Sequence, residues 1–194
     1  EELPSKHIDT GMGLERVTTM SQQVKANYDT DLFQPILDRL QEMLEHTDEQ
    51  VRENQTSYRV IADHGRSITF LVGDGVIPGN EGRNYVLRMI LRRAARFGRK
   101  IGFSEPFLGE VAQVIIDRYG DHYGELRRRR DFILNVIRQE EERFQRTLDT
   151  GLSLLDALVG ELRREGKTTI PGSEAFRLYD TYGFPLDLVQ DTLR

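Results

Sequence analysis

The chain contains no cysteine and no tryptophan, and its 194 residues include only four histidines. Without cysteine there is no disulfide and no thiolate zinc site, and no two histidines have the spacing of ligands to a shared metal. No apolar run approaches the roughly 20 residues of a membrane span, and no charged-then-apolar leader precedes a cleavage site. We therefore expect a cytoplasmic protein with no membrane partner, no metal site and no signal peptide.

Acidic residues are missing from one stretch of an otherwise acidic chain. The net charge is -5, which argues against a general nucleic-acid coat. Between Gly82 and Ser104, however, the chain has no acid. The basic residues of this stretch are Arg83, Arg88, Arg92, Arg93, Arg96, Arg99 and Lys100. A local basic region on an acidic protein indicates one dedicated anionic partner.

Apolar residues recur at intervals of three and four along most of the chain, which is typical of amphipathic helices. This spacing predicts helices over residues 14–25, 31–45, 57–71, 81–99, 106–119, 124–165 and 173–182. The predicted buried face of the helix at 81–99 consists of Val86, Met89, Ile90, Ala94 and Phe97. The long helix has an apolar seam formed by Ile133, Ile137, Phe144, Leu148, Leu152, Leu155, Val159 and Leu162. Residues 47–56 are predicted to be a turn and residues 167–170 a short strand, so the expected fold class is mainly α.

The stretch "DTGMGLER", residues 9–16, places two glycines, an acid and an arginine around the start of a predicted helix. It does not match G-x-G-x-x-G, because Arg16 occupies the last position of that pattern, and it does not match a P-loop. One interpretation is a strand-to-helix turn with a salt bridge at the start of the helix. The other is a ligand site, in which glycine lets the backbone approach closely, Asp9 binds an ammonium group and Arg16 points at a phosphate.

Several polar residues further along the chain have two interpretations each. Arg88, Arg92, Arg96 and Arg99 share one face of the predicted helix at 81–99, and we call them the arginine stripe. The stripe is either a solvated face or a row of phosphate contacts. Asn80 is either the N-cap of this helix or a contact to the partner, and both roles can coexist. Asp180 is either a helix-terminal acid with a tyrosine partner or a binding residue.

Two other polar features have structural interpretations only. The run "RRRR" at residues 127–130 stands before a stretch of mixed charges, so we expect it to be solvated or paired within the chain. His64 lies on an apolar helical face and is predicted to be a core histidine.

Three segments of the chain resemble one enzyme family, in the same order as in that family. "DTGMGLER" resembles motif 3 of the class II aminoacyl-tRNA synthetases, in the form found in alanyl-tRNA synthetases. The segments "ADHGRSITFLVGDGVIPGNEGRNYVLRMILRRAARFG" (62–98) and "FRLYDTYGFPLDL" (176–188) resemble the same family, and its bacterial type in particular. The resemblance therefore covers nearly the whole chain.

The resemblance implies a role for each residue of motif 3. Asp9 would receive the α-amino group of alanine, and Gly11 would line the small amino-acid pocket. Gly13 would lie against the adenosine, and Arg16 would contact the phosphates of ATP. In this class the amino-acid carboxylate attacks the α-phosphate, and the amino acid then passes to the terminal adenosine of tRNA. An arginine and Mg²⁺ assist by stabilising charge.

For the helical part, the resemblance implies recognition of the acceptor stem of tRNA-Ala, whose identity rests on a G·U wobble pair. The wobble leaves the guanine 2-amino group unpaired in the wide minor groove of A-form RNA. A side chain that binds this donor must supply an acceptor, as Asp, Asn and Glu do. The family maps the two readers onto Asn80 and Asp180. The arginine stripe would hold the phosphates, and Arg92 or Arg93 would also touch the key pair.

The resemblance also implies that this sequence is a fragment, because motifs 1 and 2 and the zinc-binding editing domain have no counterpart in it. Residues 1–26 would be the C-terminal end of a class II catalytic domain, a strand–turn–helix remnant. Residues 27–194 would be a helical domain with a long helix that recognises the tRNA acceptor stem. The full enzyme, an alanine–tRNA ligase, would bind ATP and Mg²⁺, whereas the isolated fragment is expected to bind neither and to be inactive.

The expected partners are therefore the acceptor stem of tRNA-Ala, alanine and ATP, with no DNA. One alternative belongs to a different class of function. The seam of the long helix, residues 133–162, would in that case bind another protein, and the chain would be a stand-alone helical interaction module.

Overall fold

The structure, a computed structural model, describes residues 9–182 together with residues 184, 186, 189, 190 and 193. The helices found there are α1 (Leu14–Ser21), α2 (Gln34–Leu44), α3 (Asp48–Glu53), α4 (Gln55–Gly73), α5 (Gly82–Ile101), α6 (Leu108–Tyr119), α7 (Gly124–Arg128), α8 (Arg130–Arg164) and α9 (Gly172–Tyr182), with a 3-10 turn at Asn27–Asp29. These residues contain no strand, and the prediction of a mainly α fold is confirmed. Residues 1–8, which belong to the expected strand–turn–helix remnant, lie outside the described residues.

Helix α4 lies at the centre of the core, where it packs against α5, α6 and α8. Its inward side chains Tyr58, Ile61, Ile68 and Val72 recur every three or four residues and are buried. Gly65 belongs to the same face, and a Cβ there would lie 2.5 Å from a methyl group of Val111. The missing side chain therefore allows α4 to approach α6 closely.

The predicted seam of the long helix is largely confirmed in α8. Ile133, Ile137, Phe144, Leu148 and Leu155 are all buried in the core. This side of α8 is thus covered by the chain itself, which removes the surface that a protein-binding module would have used.

The start of the long helix differs from the prediction of one continuous helix over 124–165. Arg129 has φ −106° and ψ 12°, outside the helical region, and it separates α7 from α8. Of the arginine run around this break, which was predicted to be solvated or paired within the chain, Arg127, Arg129 and Arg130 are paired and Arg128 is exposed. Arg127 lies 2.7 Å from Asp121, and Arg129 donates to the carbonyl oxygen of Gly73 at 2.6 Å.

Two short segments were predicted wrongly. Residues 47–56, predicted as a turn, contain α3, because Thr47 and Gln50 form a capping box. The Thr47 amide donates to the Gln50 side chain at 2.8 Å, and the Gln50 amide donates to the Thr47 hydroxyl at 3.4 Å. Residues 167–170, predicted as a strand, are irregular, since the described part of the chain offers no strand to pair with them.

Helix α5 buries a different face from the one predicted. Its buried residues are Leu87, Leu91, Ala94, Ala95, Gly98 and Ile101. Of the predicted face only Ala94 is buried, while Val86 and Met89 are 54% and 43% exposed. The buried face is shifted by one residue from the predicted face. The reason is that Arg88 and Arg92 lie against α8, where the carboxylate of Glu140 compensates their charge.

None of the described helices is long and apolar enough to cross a membrane.

Candidate functional site

Asn80 is exposed in the loop that joins α4 to α5. Helix α5 begins at Gly82 with Glu81 as its N-cap, and no side chain caps this end. The interpretation of Asn80 as the N-cap is therefore wrong. Asn80 Oδ1 instead accepts a hydrogen bond from Nη1 of Arg88. Nη2 of the same arginine lies 3.3 Å from the carbonyl oxygen of Pro78, to which it donates, so one guanidinium holds the loop at two points.

A buried carboxylate on α8 lies beneath the first two arginines of the stripe. The Glu140 side chain is 4% exposed, and its Oε1 lies 3.1 Å from Nε of Arg88 and from Nη2 of Arg92. Nε of Arg92 donates a hydrogen bond to the same oxygen. Nε of Arg88 is buried without a hydrogen bond, so its attraction to Glu140 is purely electrostatic. The two guanidinium groups tie α5 to α8 through one carboxylate.

Glu140 is the partner of Arg88 and Arg92 that the sequence analysis did not identify. It is the first of three consecutive glutamates, residues 140–142, in a helix with charges of both signs. Glu140 and Glu141 are buried and Glu142 is exposed. The helical period does place residues 140 and 141 on the buried side, between Ile137 and Phe144, but it does not show which groups would compensate two acids there.

The remaining arginines of α5 are engaged in different ways. Arg99 donates to Asp149 and to the carbonyl oxygen of Ser104, both at 3.0 Å. The Arg96 guanidinium lies over the ring of Phe97, 5.8 Å from its centroid. Arg93 is exposed, and its guanidinium also lies over the ring of Phe97, 5.6 Å from the centroid. Arg93 and Arg99 are therefore more exposed than Arg88, Arg92 and Arg96.

His64 links α4 to Arg93 rather than packing in the core. Its side chain is partly buried, with Nδ1 3.1 Å from Oδ2 of Asp63 and Nε2 3.4 Å from Nη1 of Arg93. The hydrogen bond from His64 lowers the pKa of the Asp63 carboxyl, against the opposing effect of burial. The prediction of a core histidine thus missed a polar connection on the edge of the basic surface.

Asp180 lies exposed on α9, which packs on α8. Within the described ranges its carboxylate forms no hydrogen bond or ion pair, and so it has no tyrosine partner there. The neighbouring Leu178 is buried and anchors the helix, whereas Phe176 and Tyr179 are exposed. The structure thus presents Asp180 on a surface that also carries aromatic rings, and α8 supports both this surface and the Asn80 loop.

The four motif 3 residues Asp9, Gly11, Gly13 and Arg16 are all exposed. A Cβ on Gly11 would meet no described atom within 4 Å, and one on Gly13 would touch only Arg16. These residues therefore form an open surface at the start of α1. Their chemistry, with one carboxylate, one guanidinium and accessible backbone between them, fits a zwitterion next to a phosphate.

Helix α1 is held on the helical core by its opposite side. Glu15 pairs with Arg66 of α4 at 2.5 Å, and the Thr19 hydroxyl donates to Asn27 at 2.8 Å. The pKa of the Glu15 carboxyl lies below its ordinary value, first because of a backbone hydrogen bond and then because of Arg66. The salt bridge expected at this helix start is present, and it leaves Arg16 pointing outward.

The structure was also searched for groups of acidic, histidine or cysteine side chains that could hold a metal ion. In residues 9–182 and the other described positions, no group of three or more such side chains comes together.

Comparison with known proteins gives one consistent result. A family model described as "tRNA synthetases class II (A)" matches residues 1–194. The chain is 51% identical over 191 residues to an alanine–tRNA ligase of Nitratidesulfovibrio vulgaris, which covers 98% of the chain and 22% of that relative. It is 48% identical over 189 residues to an alanine–tRNA ligase of Geobacillus thermodenitrificans, and this match covers 97% of the chain and 22% of that relative. The corresponding ligase of Halalkalibacterium halodurans is 49% identical over 190 residues, again with 97% and 22% covered. The chain thus spans about a fifth of the length of these relatives.

Proposed function

Because the chain belongs to the family of class II tRNA synthetases (A), we propose that it is the acceptor-stem-binding part of an alanine–tRNA ligase. Such an enzyme attaches alanine to its tRNA with the use of ATP. The observation that carries the proposal is the match of the family model along residues 1–194. Residues 1–26 would complete a catalytic domain, and residues 27–194 would bind RNA.

The proposed feature of the RNA is a G·U wobble pair in the acceptor stem. Its guanine 2-amino group has no pairing partner, and the shallow minor groove of A-form RNA exposes it. Asp180 supports this role, because its exposed carboxylate is an acceptor without a partner among the described residues. Asn80 is the second proposed contact to the pair, and its loop is held in place by Arg88.

The basic residues of α5 are proposed to position the stem through its phosphates. Arg93 and Arg99 are the exposed members and suit direct contact. Arg88 and Arg92 already share Glu140, so most of their contribution would be to hold α5 and the Asn80 loop in place. Arg96 would complete the phosphate-facing row between them.

The motif 3 residues are proposed to form one side of the site for alanine and ATP. Asp9 would bind the alanine ammonium group beside Gly11, and Arg16 would bind phosphate oxygens beyond Gly13. Mg²⁺ bound with ATP in the complete enzyme would neutralise part of the phosphate charge. Since these residues lie on an open surface here, we expect no alanine-dependent ATP–pyrophosphate exchange by this chain alone.

A binding measurement with two RNAs tests the proposal. A short acceptor-stem duplex with a G·U pair should bind about tenfold tighter than the same duplex with G·C. The G·C pair engages the 2-amino group with cytosine, so the complex would bury the Asp180 carboxylate without a partner, which is costly. Asp180→Ala should bring the two affinities together by weakening the G·U complex. Arg93→Ala should weaken both complexes by a similar factor.

Equal affinity of the unaltered chain for the two duplexes would contradict the proposal. Absence of RNA binding together with a concentration-dependent dimer would favour a helical protein-interaction module instead. The buried seam of α8 argues against that second result.

A further inference from the structure

The contact between Arg88 and Asn80 fixes the direction of the Asn80 amide. The two ends of an asparagine amide have nearly the same shape, but the oxygen accepts hydrogen bonds and the NH2 group donates them. A guanidinium has only N–H donors and no acceptor. Nη1 of Arg88 therefore selects the carbonyl end of the amide, and the NH2 group is directed away from it.

Arg88 is itself held from several sides and can act as a rigid support. Its side chain is 14% exposed, with Nε 3.1 Å from Glu140 and Nη2 3.3 Å from the carbonyl oxygen of Pro78. A planar guanidinium held by Glu140, Pro78 and Asn80 has few rotamers left, so it fixes the loop at a defined position relative to α8. By contrast, the NH2 group of Asn80 has no hydrogen-bond partner in the described part of the chain, and the residue is exposed.

We infer that Arg88 is a positioning residue that keeps the carbonyl of Asn80 turned inward, so that Asn80 contacts the RNA as a hydrogen-bond donor. The inference rests on the proposed function and assigns a polarity to one of its two contacts. The matching acceptors in an RNA minor groove are purine N3, pyrimidine O2 and the ribose 2′-oxygen. The guanine 2-amino group is a donor, and its recognition is then left to Asp180. This differs from the sequence-based expectation that both side chains supply acceptors.

The first test needs no RNA and measures the motion of the Asn80 side chain by ¹⁵N NMR relaxation. In the unaltered chain the Asn80 NH2 group should be as restrained as the backbone of α5. In Arg88→Lys it should become as mobile as an exposed asparagine, because an ammonium on a flexible stem cannot hold Asn80, Pro78 and Glu140 together. Arg127→Lys, which alters an exposed pair with Asp121, is the matched control and should change nothing at Asn80. Equal mobility in the unaltered chain and in Arg88→Lys would overturn the positioning role.

The second test asks whether Asn80 is a hydrogen-bond donor or an acceptor, by measuring the affinity for duplexes that contain G·U or inosine·U. Inosine differs from guanosine only in lacking the 2-amino group. A donor at Asn80 does not touch that group, so Asn80→Ala should weaken both complexes by the same factor, about three- to tenfold. Asp180→Ala should weaken only the G·U complex. Arg88→Lys should weaken both complexes and should add little when combined with Asn80→Ala.

A loss on Asn80→Ala confined to the G·U duplex would overturn the assigned polarity, because it would make Asn80 an acceptor of the 2-amino group. Full additivity of Arg88→Lys and Asn80→Ala would overturn the positioning role, because Arg88 would then act independently of Asn80. If the unaltered chain binds neither duplex, the proposed function fails, and the NMR comparison alone decides whether Arg88 positions Asn80.

Discussion

At the scale of single residues, two adjacent buried glutamates on α8 have different partners. Glu140 lies between guanidinium groups, whereas Glu141 accepts hydrogen bonds from the amides of Phe107 and Leu108 at 3.0 Å each. No side chain of α6 itself caps its first turn. Glu141 therefore caps this turn from α8. Burial raises the pKa of Glu141 to about 7, although the two backbone hydrogen bonds act in the opposite direction.

This raised pKa predicts a specific dependence of stability on pH. The ordinary pKa of a glutamate is 4.5, so between pH 4.5 and about 7 the folded chain holds a proton at Glu141 that the unfolded chain has released. The free energy of unfolding should therefore fall as pH rises through this window, by about 1.4 kcal/mol for each unit by which the pKa is raised. The contribution is fully present below pH 4.5 and is lost above pH 7.

Urea unfolding at a series of pH values checks this with Glu141→Gln. The variant should lose the part of the decline that the unaltered chain shows between pH 4.5 and 7, whatever its absolute stability. Glu142→Gln alters the exposed neighbour and should keep most of the decline, since the charge of Glu142 is the smallest of the effects that raise the pKa of Glu141. An unchanged decline in Glu141→Gln would show that this carboxyl does not titrate differently in the folded chain.

At the scale of helices, the contact between α5 and α8 depends on one buried charge. Glu140→Gln leaves Arg88 and Arg92 without a counter-charge in a site from which water is largely excluded. Breaking a buried pair from one side costs about 3–5 kcal/mol, and the partial exposure of the arginines places the expected loss at the lower end. Chemical unfolding of Glu140→Gln beside Glu142→Gln measures it. A loss as small as that of Glu142→Gln would mean that the arginines do not need this carboxylate.

Two glycines in long helices should respond oppositely to the same substitution. A Cβ at Gly98 of α5 would overlap the ring of Phe107, whereas one at Gly160 of α8 would meet nothing within 4 Å in the described structure. Gly98→Ala should cost about 1–3 kcal/mol through overpacking. Gly160→Ala should stabilise the chain by up to about 1 kcal/mol, since alanine is the better helix former. Thermal unfolding of both variants measures this. A stabilised Gly98→Ala would contradict the contact between α5 and Phe107, and a destabilised Gly160→Ala would contradict the open position of Gly160.

The helices also show which features a sequence can predict. The seam of α8 follows from local periodicity, and the three family motifs can be recognised directly in the sequence. Helix α3 was predictable in principle, because its Thr47–Gln50 capping box is a local signal. The rotation of α5 was not, since it depends on Glu140, which is distant along the chain. For the same reason the sequence could not show that Arg88 holds Asn80 rather than facing solvent.

At the scale of the whole molecule, an acidic chain carries an acid-free basic stretch on α5, which we propose to be the surface that binds RNA. Each arginine that neutralises a phosphate releases counterions, so it steepens the loss of affinity with salt. Arg93→Ala should therefore weaken RNA binding and reduce the slope of log affinity against log salt by roughly one unit. Arg127→Ala removes an arginine outside α5 that is already paired with Asp121, and it should leave the slope unchanged. A slope that is the same with and without Arg93 would remove this residue from the phosphate contacts.

The most direct measurement of the central claim is the ratio of two dissociation constants at one salt concentration. The duplexes are identical except that one has a G·U pair and the other has inosine·U at the same position. If the molecule reads the free 2-amino group through Asp180, the G·U duplex should bind about tenfold tighter, and Asp180→Ala should bring the ratio to one. A ratio of one in the unaltered chain would contradict the account, however tightly both duplexes bind.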